Sequence, residues 1–365
     1  MLSIFFYHSD RFFDFNPWHI NSAVTSLAST IHIEFFKLWM MPLFFIISGA
    51  AVYYSLSSRK AGGFVKERIL RIMIPWVLIG IFVMAPPQIY FVRLSQAEFS
   101  GSFFQFYPHY FDGIYPYGGN FAFHGMHLWY LMDLFFFSLI LLPLFLPRGN
   151  SGKSLISRLA TLFEKPWGLL LLFVPLAAVA MYADVTGFFM ESRVTGGWDL
   201  LSYLLFFIYG YLIFSNVQIQ ATIKKYSTAA LVAALVSTAG VMYSQFVIQP
   251  ASDTMLWALR SLCAWCWIIT ILGFGSRFLN FNNRFLGYAN EAVLPFYILH
   301  QTVITIIGFY VIQWNLGIAP KYFAIAIASF IAIMVIYELL VRRINVLRFL
   351  FGMRLKRSRG RLSQS

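Results

Sequence analysis

Eight side chains in this sequence combine proton-transfer chemistry or charge with an apolar setting: His8, Glu34, His124, His127, Asp133, Glu291, His300 and Glu338. A charged group at a bilayer centre costs about 2.5–3.5 kcal/mol on insertion scales, so an ionisable residue in such a run is a candidate for function by default. Imidazole titrates near neutrality, which suits general base work. His8 ends the run Leu-Ser-Ile-Phe-Phe-Tyr-His and is followed at once by Ser9, Asp10 and Arg11. It therefore sits near a membrane face, where a catalytic base and a plain helix-end anchor look alike. His127 opens His-Leu-Trp-Tyr-Leu, with Asp133 about one and a half helical turns deeper. Trp129 and Asp133 share a face at i, i+4, whereas His127 and Asp133 do not, which argues against a direct His–Asp pair. Trp129 and Tyr130 also fit an interfacial aromatic belt. His300 lies near the middle of its run, beside Gln301 and Thr302, where a core histidine satisfied by a neighbouring helix is the plainer alternative. His124 and His127 stand at i, i+3, but no carboxylate cluster accompanies them, so no metal site is expected.

A second kind of chemistry is anion binding. Lys66, Arg68 and Arg71 lead into Pro75 at the start of an apolar run. Arg68 and Arg71 share a helix face, and two guanidiniums near a helix N-terminus suit a phosphate. The same residues serve equally well as a basic membrane anchor.

The elements that must position these groups are membrane helices. Of 365 residues 59% are hydrophobic, 19% aromatic and only 11% charged, with a mean hydropathy of +0.71. A soluble domain carries roughly a quarter of its residues as charged groups. Apolar stretches near the ~20 residues that cross a bilayer fall at Trp39–Ser55, Ile72–Phe91, Leu128–Leu146, Gly168–Tyr182, Leu200–Phe214, Ala229–Phe246, Leu256–Phe274, Ala289–Ile312 and Tyr322–Val341. Met1–Tyr7 reads as the outer end of one more. The expected fold class is an all-α polytopic transmembrane helical bundle of about ten helices, since helices satisfy their own backbone in lipid. Pro42, Pro75, Pro143, Pro175 and Pro295 predict kinks rather than breaks.

Charge sets the expected orientation. Of the 27 basic residues, all but Arg11, Lys37, Arg93, Arg193, Arg260 and Lys321 fall in one set of loops and in the tail. Those loops hold Arg59 to Arg71, then Arg148, Lys153, Arg158 and Lys165, then Lys224 and Lys225, then Arg277 and Arg284. The tail adds Arg342, Arg343, Arg348, Arg354, Lys356, Arg357, Arg359 and Arg361. That side is expected to be cytoplasmic, with both termini on it, in the inner (plasma) membrane. Most acids fall on the other side, among them Asp10, Asp14, Glu34, Glu98, Asp112, Asp184, Glu191, Asp199 and Asp253.

The net charge of +13 is accounted for by this asymmetry, so no nucleic-acid partner is expected; Arg354–Arg361 fits anionic lipid better. Cys263 and Cys266 have redox-motif spacing but lie in an apolar helix, where they read as packing residues. No basic leader or cleavage site marks Met1–Tyr7 as a signal peptide. No fixed-period repeat or phosphate loop is present. One membrane domain, residues 1–341, and a basic tail, 342–365, are expected.

Four patches together resemble the acyltransferase family 3 membrane proteins, most nearly the branch containing the periplasmic-glucan succinyltransferases. They are Ser3–His8; Met41–Gly49, reading Met-Pro-Leu-Phe-Phe-Ile-Ile-Ser-Gly; Arg68–Pro75, with its Arg-x-x-Arg; and the pair His127–Leu131 and Leu294–His300. The resemblance implies a ten-helix bundle moving an acyl group, of acetyl or succinyl class, from cytoplasmic acyl-CoA to a hydroxyl of an extracytoplasmic glycan or other envelope acceptor. Acyl-CoA would be a donor substrate, with no resident cofactor. His8 matches the family's first-helix histidine, the catalytic base. Arg68 and Arg71 would hold the CoA phosphates or order their loop. Apart from the resemblance, His127, Trp129, Asp133 and His300 are expected to bind substrate as the remaining polar or aromatic groups of the spans. The family pattern also has an arginine about eleven residues, some three turns, before its histidine. That place falls upstream of Met1, so a fuller first helix is expected there. The rival reading is a secondary transporter or flippase using the same polar residues as a pathway. No pair of interrupted helices marks the inverted repeat typical of such proteins.

Overall fold

The computed structural model describes residues 1–147, 154–189, 196–248 and 254–356; Arg148, Lys153, Glu191, Arg193, Asp253, Arg357, Arg359 and Arg361 lie outside the described residues. Within them the chain is an all-α membrane bundle, with a single isolated β-bridge between Ile114 and Phe121. The longer helices, in order, are α1 (Leu2–Asp10), α2 (Leu27–Ser58), α3 (Ala61–Ser95), α4 (Met126–Ile140), α5 (Pro166–Thr186), α6 (Leu200–Phe214), α7 (Val217–Ile248), α8 (Thr254–Phe278), α9 (Arg284–Val311) and α10 (Ile318–Val341). Seven of these, all but α1, α4 and α6, are long and apolar enough to cross a membrane. Each expected apolar stretch is helical except 128–146, where the expectation that Pro143 only kinks the helix is corrected to a break. The stretch 128–146 is divided, because Pro143 cannot donate to the carbonyl four residues back; the chain turns at Leu141 and resumes as Leu142–Phe145.

Side-chain caps fix several starts. Asp199 accepts from the Ser202 N–H at 2.8 Å to open α6, and Asn283 accepts from the Leu286 N–H at 2.7 Å to open α9. Within α3 the turns widen to π-helix over Ile69–Met73 and Pro75–Met84. Pro86 and Pro87 then leave the Phe82 carbonyl without a donor four or five residues on. The Tyr107 hydroxyl takes that carbonyl at 3.1 Å, and the Tyr110 hydroxyl takes that of Ile81 at 2.9 Å. The connection 96–125 is thereby folded onto the end of α3, and Arg93 fastens it by donating to Asn120 Oδ1 at 2.8 Å and the Gly119 carbonyl at 2.7 Å.

The chain forms two compact units, interleaved in sequence. The first holds Met1–Thr30, Lys66–Phe135 and Asn283–Ser365; the second holds Ile31–Val65 and Phe136–Asn282. In the first, α1 lies against α9 and α10. Phe5 meets Phe296 at 5.5 Å and Phe330 at 6.1 Å between ring centroids. Just past α1, Phe12 fits against α9 where Gly308 has no side chain; a Cβ there would fall 2.1 Å from Phe12 Cζ. In the second, α7 and α8 pack along each other. There α2 and α6 approach through Gly49 and Gly210, each with a partner carbonyl 2.0 Å from where a Cβ would be.

Candidate active site

The first unit brings three of the sequence-predicted site residues together. His8 of α1 lies 5.2 Å from His300 of α9, and His300 lies 4.9 Å from His127 at the start of α4, between ring centroids. His8 is held from two directions. α1 carries it against α9, and the connection after α1 folds back over it. In that connection Arg11 pairs with Asp14 and donates to the Pro17 carbonyl at 3.0 Å. The amides of Ser22 and Ser26 donate to the carbonyls of Phe12 and Phe13, each at 2.8 Å. Asp10 accepts from Ser29 at 2.8 Å, tying the end of α1 to the start of α2. The result is Trp18 stacked on His8, 5.9 Å between centroids and 23° between planes. His8 is 9% exposed, and its Nδ1 is enclosed without a hydrogen-bond partner.

His127 is committed on both ring nitrogens. Gln88 Nε2 donates to Nδ1 at 3.3 Å, which leaves the proton on Nε2, shared between the carbonyls of Tyr297 at 3.2 Å and Ile298 at 3.1 Å. His300 Nδ1 donates to the same Tyr297 carbonyl at 2.5 Å, so its buried Nε2 is a bare lone pair with no partner. Gln88 itself is fully buried, donating also to Thr302 Oγ1 at 2.9 Å and accepting from Gln301 at 3.0 Å. Asp133 is buried further along α4, and no bond to His127 joins them, as the helix spacing predicted. Trp129 is half-buried at the first turn of α4.

Outside the spans, Tyr115 donates to or accepts from His19 Nδ1 at 3.3 Å. Burial, with the charge of Arg11 next, pushes His19 down to about 3, and burial pushes His124 down to about 4. Both rings are therefore neutral at physiological pH.

Arg68 and Arg71 lie at the other end of α3, with roughly 20–25 Å of helix between Arg71 and Gln88. The expectation that they flank a helix N-terminus is corrected: α3 begins at Ala61, so its free N–H groups lie two turns earlier. Arg71 donates to the Gly352 carbonyl at 3.0 Å and to Glu67 at 3.3 Å.

Sequence reading missed Gln88, Trp18 and Tyr297. Gln88 had a signal, being a lone amide in an apolar run, where its polar groups must find partners. Among the described residues no group of three or more His, Cys, Asp or Glu is arranged to hold a metal ion. What the site offers is an imidazole with an uncommitted nitrogen, shielded by an indole and beside a second imidazole with a free lone pair. Such a group can take a proton from a hydroxyl.

The sequence model of acyltransferase family 3, described as an acyltransferase domain, matches residues 1–338. The chain is 24% identical to Glucans biosynthesis protein C of Escherichia coli strain K12 over 364 residues, 95% of this chain and 90% of that protein. The same identity and coverage hold for the proteins of that name from strain 536 and strain HS. No solved structure matches. The matched span takes in residues of both units, and the chain belongs to acyltransferase family 3.

Proposed function

We propose that this protein transfers an acyl group of acetyl or succinyl class from cytoplasmic acyl-CoA to a hydroxyl of a glycan on the far side of the plasma membrane. The observation that carries this reading is His8, an enclosed imidazole with an unpartnered ring nitrogen, placed between Trp18 and His300. In the proposed step His8 removes the acceptor hydroxyl proton as the oxygen attacks the thioester carbonyl. The C–O bond forms, the C–S bond breaks, and the proton passes from His8 to the leaving thiolate to give free CoA. Direct attack is the simpler version of the step, since the neighbouring hydroxyls of Ser9 and Thr302 are committed to the carbonyls of Phe5 at 2.9 Å and Met84 at 3.0 Å. Arg68 and Arg71 are assigned to the polyanionic end of CoA. The concentration of basic residues in one set of loops supports a cytoplasmic side for that end and the far side for the connection 96–125. The glycan acceptor is inferred from the name of the Escherichia coli relatives.

Mass spectrometry of envelope glycans tests this, comparing cells with the wild-type chain, cells with His8→Ala and cells with neither. An acyl mass increment confined to wild type, with the variant present in the membrane, is expected. Arg68→Ala with Arg71→Ala should raise KM for acyl-CoA instead. The buried amides Gln88 and Gln301 would also suit a transport pathway. An unchanged glycan profile with full-length protein in the membrane would favour that reading.

A further inference from the structure

The chain beyond α10 is folded as far as Met353 rather than trailing from Arg342. Arg342 pairs with Glu338 at 3.0 Å and with Glu291 of α9 at 3.5 Å. The short helix Asn345–Leu350 follows. On it Arg348 is only 4% exposed, and its guanidinium donates to the Arg342 carbonyl at 3.1 Å, the Arg354 carbonyl at 2.8 Å and Glu291 at 2.7 Å. A buried cation with three acceptors is a staple, because breaking it strands a charge. It fixes the next turn, whose Gly352 carbonyl accepts from Arg71 Nε at 3.0 Å. Gly352 has a φ of +68°, and a Cβ there would lie 2.7 Å from the Arg71 carbonyl oxygen and 3.2 Å from Pro75 Cγ. Only glycine lets this turn close on α3.

The contact holds Arg71 by the inner edge of its guanidinium while its side chain keeps 44% exposure. A cation fixed in this way meets an anion with little ordering left to do. We propose that the turn 349–353, stapled by Arg348, is a positioning element for Arg71 in donor binding, supplied by a segment that lies past the matched family region. The proposal rests on the reading of Arg71 as a CoA contact.

The test is calorimetric titration of coenzyme A into the full-length chain in detergent, with thermal melting as the control for folding. Arg71→Ala and Gly352→Ala are each expected to weaken binding about tenfold, the worth of one hydrogen bond to a charged group. The double variant should bind no more weakly than Arg71→Ala alone, which a merely structural role would not produce. Arg348→Lys keeps the charge, loses the fork and should fall between wild type and Gly352→Ala. It also serves if Gly352→Ala does not fold. Wild-type affinity in Arg71→Ala would overturn the donor reading and the proposal with it. Weak binding in Arg71→Ala but wild-type binding in Gly352→Ala or Arg348→Lys would overturn the positioning role alone. Additive losses in the double variant would do the same.

Discussion

His127 and Tyr297 hold each other across α4 and α9. The imidazole Nε2 donates to the Tyr297 carbonyl, and the Tyr297 hydroxyl donates back to the His127 carbonyl. The same Tyr297 carbonyl also orients His300. One reciprocal contact therefore fixes both the packing of two helices and the ring that faces His8.

Tyr297→Phe removes one arm of this exchange, and Gln88→Leu removes the amide that sets the His127 tautomer. Tyr297→Phe should cost about 0.6–1.5 kcal/mol, and Gln88→Leu about 1–3 kcal/mol because it strands His127 Nδ1 and Gln301. Because both act on His127, the double variant should lose less than the sum. Melting midpoints in detergent measure this; strict additivity would mean the two contacts are independent.

Gly308 makes a sharper prediction. A methyl there overlaps the ring of Phe12, which lies in the connection that carries Trp18 over His8. Overpacking of this kind costs about 1–3 kcal/mol. Gly308→Ala should lower both the melting midpoint and acyl transfer, and adding Phe12→Leu should recover part of both. No recovery would show that the strain lies elsewhere on α9.

The apolar stretches were legible because hydropathy alone marks a span, but their ends were not. α2 was expected from Trp39, yet it starts at Leu27, since Glu34 is paired with Lys37 at 2.7 Å and with Arg260 at 3.2 Å. Pairing across helices makes tolerable what reads as a charged loop. The resemblance supplied His8, and helix spacing correctly separated His127 from Asp133. The approach of His8 to His300 was invisible, because nothing local in either segment encodes contact between residues so distant in sequence. The reading of Arg68 and Arg71 as flanking a helix start failed because it took the start of the apolar run for the start of the helix, whereas the polar segment Ala61–Arg68 ahead of that run is already helical.

His19 and His124 give the protein a pH dependence of known sign. Their folded values, about 3 and about 4, lie below the ordinary histidine value near 6.5. Between those limits the unfolded chain binds protons that the folded chain refuses, so stability is full above about pH 6.5 and falls as pH drops from there towards 4. His19 faces Arg11, Tyr115, His124 and His127, and none of these offers it a negative partner. Melting midpoints should decline across that range, and His19→Gln with His124→Gln should flatten the decline. An equal slope in the double variant would assign the acid sensitivity to other groups.

Trp18 separates positioning from chemistry. It stacks on His8 and lies under Arg11, whose Cζ is 5.8 Å from the ring centroid. Trp18→Leu keeps an apolar contact but loses the flat surface that sets the imidazole plane. A base displaced by about an ångström can lose a hundredfold in rate, whereas losing the base itself removes about 10²–10⁴. Transfer by Trp18→Leu should therefore fall about tenfold to a hundredfold at unchanged CoA affinity, and that of His8→Asn further still. Once His8 is gone there is no base left to position, so the double variant should be no slower than His8→Asn. An additional loss in the double variant would give Trp18 a role of its own, most directly as a stacking surface for the acceptor.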